Sequence, residues 1–149
     1  MSDTARLLLT ASVLSGTAFG AFAWTLTRLD ASGPERLVGE LRLAQWAALL
    51  LAAMGAVSIG IAVANEAVPF APLDVTAGAA MILVAALVLR RDPRQGLLIA
   101  AGGFVLHALV DIAHRPGVIW PDIAPRWYAI GCAVYDVYLA AVCYAARRR

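Results

Sequence analysis

LAQWAALLLAAMGAVSIGIAVAN, running from Leu43 to Asn65, contains no charged residue. An α-helix needs about 20 predominantly apolar residues to cross a hydrocarbon layer of roughly 30 Å. This stretch is long enough, and four others in the chain resemble it. Leu7 to Thr27 is likewise free of charge, and Val68 to Leu89 carries only Asp74, near its start. Gly96 to His114 contains His107 and Asp111, and Trp127 to Ala146 contains Asp136. Pro69 and Pro72 open the third segment, where a missing backbone N–H is harmless. Pro93 separates the third from the fourth; Pro116, Pro121 and Pro125 separate the fourth from the fifth. Ser32, Pro34 and Glu35 read as a capped helix start, so the second helix is expected to begin ahead of its apolar run.

Composition agrees. Of 149 residues, 62% are hydrophobic and 15% are charged, where a soluble domain sits near about 45–50% and about 25%. The mean hydropathy is +0.77. A chain of 15.7 kDa cannot hide that much apolar surface inside a soluble fold. Disorder is excluded on the same ground, and two cysteines are too few for a disulfide-stapled secreted domain. The expected fold is all-α, a single polytopic membrane domain of five transmembrane helices with the lipid bilayer as its first partner. Nothing suggests a nucleic-acid partner.

All twelve basic residues are arginine. Five spans put Arg28, Arg36, Arg42, Arg90, Arg91, Arg94, Arg147, Arg148 and Arg149 on one side, against Arg6, Arg115 and Arg126 on the other. The positive-inside rule then places the N-terminus outside and the C-terminus in the cytoplasm. Arg6, the apolar run and Ala21-Phe22-Ala23 also resemble a signal peptide. Cleavage there would turn the arginine clusters outward, against the charge rule, so an uncleaved first span is expected. The lysine-free, alanine- and arginine-rich composition is that of a GC-rich bacterium, which points to a bacterial cytoplasmic (inner) membrane.

Several small residues fall at helix-packing intervals. Gly16 and Gly20, with Ser12, form one stripe; Ala52, Ala56 and Gly60 form a second; Gly102 and Gly103 adjoin in the fourth segment. Such stripes let membrane helices approach closely, within one chain or between subunits of a homo-oligomer or larger complex. Trp24, Trp46, Trp120 and Trp127 sit near segment ends, as interfacial anchors do.

The ionisable groups inside the segments need partners, because a charge at the centre of a spanning helix costs about 2.5–3.5 kcal/mol on insertion scales. His107, Asp111 and His114 share an arc of about 60° on one helix, and Cys132, Asp136 and Cys143 share about 40° on the next. Counted from the outer end, His107 lies about 10 Å deep, Cys132 about 8 Å and Asp136 about 14 Å. The two stripes are therefore expected to face each other in the outer leaflet, with Asp74 and Glu66 at the same end.

Three readings stay open for this cluster. His107 and Asp136 could be a hydrogen-bonded pair that fixes one helix against the other. His107, Asp111, His114 and Asp136 could bind a metal ion such as zinc, iron or copper. The same groups, with Cys132, could relay protons or hold the polar head of a lipid or quinone. A haem held between two histidines is excluded, since both lie on one helix about 10 Å apart by rise. No other cofactor can be named from the residues.

Cys132 and Cys143 are about 16 Å apart along one helix and cannot form a disulfide with each other. No C-x-x-C, G-x-S-x-G, H-E-x-x-H, Walker or dinucleotide motif occurs, and the reading leans away from an enzyme. Tyr135, Tyr138 and Tyr144 are expected to serve packing and the interface, and the loop from Arg115 to Arg126 to link two helices. The expected function is a small accessory or assembly subunit of a larger membrane complex, acting through helix–helix contacts. The alternative is a protein that binds a metal ion, a proton or a polar lipid or quinone head at the His/Asp cluster.

Overall fold

A computed structural model describes residues 3–64, 71–113 and 126–148. These form five α-helices: α1 (Asp3–Leu26), α2 (Pro34–Ala64), α3 (Ala71–Val88), α4 (Pro93–Ala113) and α5 (Arg126–Arg148). There is no strand among the described residues. The helices pack as a bundle in which α2 lies along α3 and α4 along α5, with α2 also against α4. Helix α1 leans mainly on α5 and less on α2.

Four helices are long and apolar enough to cross a membrane; α3 is shorter over its described length. Its 18 residues rise about 27 Å. By the same measure α2, with 31 residues, rises about 46 Å, well beyond a hydrocarbon layer of roughly 30 Å. Large apolar side chains such as Leu7, Leu14, Leu49, Leu83 and Val134 point outward all round the bundle. That surface suits lipid and not water.

Core positions recur at helical spacing. On α1 they are Ala5, Gly16, Phe19, Ala23 and Leu26; on α4, Leu97, Ala100, Phe104 and His107; on α5, Asp136, Leu139, Ala140 and Cys143. His107 and Asp136 thus continue the apolar seam between α4 and α5.

Helix α1 begins at Asp3, four residues before the expected span, and α2 begins at Pro34, ahead of its apolar run as expected. Helix α4 begins at Pro93, three residues before the expected boundary. Proline suits the first helical position, and the Asp92 carboxylate accepts the Gln95 N–H at 3.1 Å as a cap. At α2 the capping role expected of Ser32 is not seen. Its N–H and hydroxyl both donate to Asp30 Oδ1, at 3.0 and 2.9 Å, closing the turn before the helix. These bonds hold the Asp30 carboxyl below its ordinary pKa. The first turn of α2 closes instead on the Gly33 carbonyl, which accepts from Arg36 at 3.1 Å and Leu37 at 3.4 Å.

The small-residue stripes divide. Gly16 and Gly20 pack within the chain, against Tyr135 and Tyr138 of α5. The Tyr138 hydroxyl donates to the Gly16 carbonyl at 2.9 Å, and Ser15 and Tyr135 share a 2.7 Å hydrogen bond. Ala56 and Gly60 are exposed, and a Cβ on Gly60 would touch nothing within 4 Å. The close crossing of α2 on α3 is made on a neighbouring face, where a Cβ on Gly55 or Gly78 would meet the other's carbonyl oxygen at 2.5 Å. Likewise Gly103 packs on Leu51 and Val84, while Gly102 faces open space. Trp24 and Trp127 are exposed, as anchors are, but Trp46 packs on Phe19 and Phe22 with ring centroids 5.7 and 6.2 Å apart. Trp120 lies outside the described residues.

Candidate functional site

The polar groups gather at two ends of the bundle. At the end where α1 and α5 begin, His107 Nδ1 stands 2.7 Å from Asp136 Oδ2 and 3.5 Å from Asp111 Oδ2. His107 and Asp111 meet because they are one turn apart on α4, and Asp136 reaches them across the α4–α5 seam. Asp136 is 0% exposed and His107 6%. The other ring nitrogen, Nε2, lies 3.4 Å from the Ser58 hydroxyl of α2, which donates to the Met54 carbonyl at 3.1 Å. Ser58 was not singled out in the sequence, because a serine on an apolar helix commonly bonds back to its own backbone.

Of the other candidates, His114 and Glu66 lie outside the described residues. Asp74 is buried at the start of α3. Cys132 is partly buried beside Tyr128, one turn earlier on α5, and it does not belong to the cluster of possible metal ligands. Those ligands are His107, Asp111 and Asp136, each offering an atom within 4.8 Å of the others. Cys143 is fully buried in the apolar core further along α5, as a packing residue.

A cleft of about 460 Å³ opens between α1, α2 and α5 at this end. Leu8, Leu9, Leu50, Met54 and Val57 give it an apolar wall, and Ser12, Ser15, Tyr128, Cys132 and Tyr135 supply polar atoms. His107 is the residue that α4 contributes to it. Trp127 stands at its edge of α5. The dyad and the cleft together give a polar point inside an apolar enclosure. Such a place can fix the head of an amphiphile, hold a cation or pass a proton.

The second cluster, at the opposite end, was missed in the sequence. Arg36 and Glu40 are buried at 2% and 1% exposure. Arg36 Nε donates to Glu40 Oε1 at 2.7 Å, and Arg94 of α4 donates to both Glu40 oxygens at 3.0 and 3.4 Å. The remaining Arg36 nitrogens donate to the Leu26 carbonyl, at the end of α1, and to the Ala146 carbonyl near the end of α5, at 3.2 Å. One guanidinium therefore caps two helix C-termini, where the macrodipole favours a cation. It ties α1, α2 and α5 together while Glu40 holds α4. The i, i+4 spacing of Arg36 and Glu40 was the available signal. Arg36 enters the sequence reading only as a mark of topology, and Glu40 has no place in it.

No family model matches this chain, and neither a curated protein nor a solved structure matches it.

Proposed function

We propose that this is a multi-pass protein of a bacterial cytoplasmic membrane that holds the polar head of a lipophilic molecule, a quinone or lipid, at His107. In this reading all five helices cross the bilayer, with the N-terminus outside and the C-terminus cytoplasmic. The asymmetry of the arginines supports that orientation.

The observation that carries the reading is His107 on an apolar cleft of about 460 Å³ while its Nδ1 is fixed by the buried Asp136 at 2.7 Å. Asp136 holds the ring in one orientation, so that an incoming head group meets a positioned imidazole at the cleft. The hydroxyls of Tyr128, Tyr135 and Ser15 line the same cleft and add polar atoms to it. Leucine, methionine and valine side chains accept the apolar body, which exchanges a lipid environment for one equally apolar. Binding selectivity therefore falls to the head group.

Trp127 on the cleft gives the test its probe. A short-chain benzoquinone titrated into the detergent-solubilised protein should quench tryptophan fluorescence saturably. Trp127→Phe should remove that part of the signal, and His107→Ala should weaken the affinity at least tenfold. Quenching that does not saturate, or that His107→Ala leaves unchanged, would defeat the reading.

A second reading, an accessory subunit of a larger membrane complex or a homo-oligomer, has its own support. Gly60 and Gly102 are exposed and face open space, where a neighbouring helix could approach. Cross-linking in native membranes followed by purification distinguishes it, through partners that survive His107→Ala.

A further inference from the structure

The two sides of the His107 ring differ in kind. Beside Nε2 is the Ser58 hydroxyl, at 3.4 Å, and its one proton points to the Met54 carbonyl at 3.1 Å. In that orientation the serine offers the ring a lone pair, which a hydrogen on Nε2 can meet. Beside Nδ1 are carboxylate oxygens, Asp136 Oδ2 at 2.7 Å and Asp111 Oδ2 at 3.5 Å. With the hydrogen on Nε2, a neutral ring turns its Nδ1 lone pair toward those oxygens. Three acceptors then surround one point, which only a positive occupant can fill.

A divalent cation fits such a point, where an imidazole nitrogen and two carboxylates can serve as its ligands. Asp111 also lines a groove of about 290 Å³, together with Arg126. A further feature points to the same place. Asp136 is 0% exposed, yet its Oδ1 makes no hydrogen bond. An oxygen so buried and so unsatisfied is costly unless it meets a ligand.

We propose that His107 Nδ1, Asp111 and Asp136 form a binding site for a divalent cation of the zinc class. An imidazole with two carboxylates suits zinc, whereas calcium and magnesium favour all-oxygen shells. Ligands about 2.0–2.2 Å from a tetrahedral zinc ion lie about 3.4 Å from one another. Asp111 Oδ2 already stands 3.5 Å from Nδ1. Asp136 either withdraws Oδ2 by about 0.7 Å to reach that spacing or turns its unbonded Oδ1 to the ion. The Nε2–H···Ser58···Met54 chain supplies the hydrogen bond that orients a ligating histidine and fixes its tautomer. Water completes the fourth position, as in other sites with three protein ligands. The groove lined by Asp111 between α4 and α5 is the route of entry. The inference does not depend on what fills the cleft on the other side of the bundle.

The test titrates zinc chloride alone into chelator-stripped, full-length protein in detergent, followed by calorimetry and by elemental analysis after desalting. The expected result is one equivalent of zinc per chain. Asp111→Asn should weaken binding at least tenfold, and Ser58→Ala, which removes no ligand, about 10–100-fold. Asp136→Asn should abolish binding; if that variant does not fold, Asp111→Asn and Ser58→Ala decide the matter. No binding by the wild-type protein, or unchanged affinity in Asp111→Asn, overturns the site. Equal affinity for calcium overturns the zinc class. Quinone quenching of Trp127, measured on the same Asp111→Asn protein, reads the cleft separately, so either proposal can fail alone.

Discussion

Glu40→Gln keeps the shape of a side chain at the centre of the arginine-end cluster and removes its charge. Glu40 is 1% exposed and receives hydrogen bonds from Arg36 at 2.7 Å and from Arg94 at 3.0 Å. Its loss leaves the Arg36 guanidinium, 2% exposed, without a counter-charge among helix carbonyls. Breaking a buried pair by removing one partner typically costs about 3–5 kcal/mol. The Arg94 side chain, by contrast, is 50% exposed, so Arg94→Gln should cost about 0–1 kcal/mol. At about 2–4 °C per kcal/mol for a chain of this size, Glu40→Gln should lower the Tm in detergent by roughly 10 °C, and Arg94→Gln by at most a few degrees. Removing both charges, in Arg36→Met with Glu40→Leu, should recover part of the loss, because the uncompensated charge is gone. Thermal unfolding followed by circular dichroism at 222 nm reads all three proteins. Equal, small shifts for Glu40→Gln and Arg94→Gln would refute the claim that this end is a buried lock.

Other outcomes follow from close approaches between helices. Gly20→Ala drives a Cβ into the Tyr138 hydroxyl. It should destabilise by about 1–3 kcal/mol, while Gly60→Ala, with nothing within 4 Å, should be neutral or stabilising; thermal unfolding separates them. Gly55→Ala and Gly78→Ala each press on a backbone carbonyl and not on a movable side chain, so each should cost more than Gly20→Ala. For topology, a reporter fused after the final arginine should read as cytoplasmic; an extracytoplasmic signal would overturn the five-pass orientation.

Much of this was legible in the chain, for identifiable reasons. Charge-free runs mark membrane helices directly, since a bilayer penalises every exception. The His107–Asp136 contact could be anticipated because each residue shares a helix face with other polar groups, and adjacent antiparallel helices must set such faces together. What was not legible depends on rotation about a helix axis. In an alanine-rich helix, Gly55 and Gly60 are equally plausible packing points, and only the crossing with Gly78 tells them apart. Arg36 was hidden differently. Arginines near span ends all carry topological information, and topology alone does not separate an exposed one from Arg36, which is buried on its i, i+4 glutamate. Ser58 illustrates a third limit: its part at His107 Nε2 depends on a contact between α2 and α4 that no local pattern encodes.

The most direct test of the central claim is made on protein purified from its own membranes, by solvent extraction and mass spectrometry of what comes with it. The extract should contain a lipophile with a polar head, a quinone or a lipid, near one per chain in the wild type and depleted at least tenfold in His107→Ala. Equal recovery from the two proteins would contradict that claim.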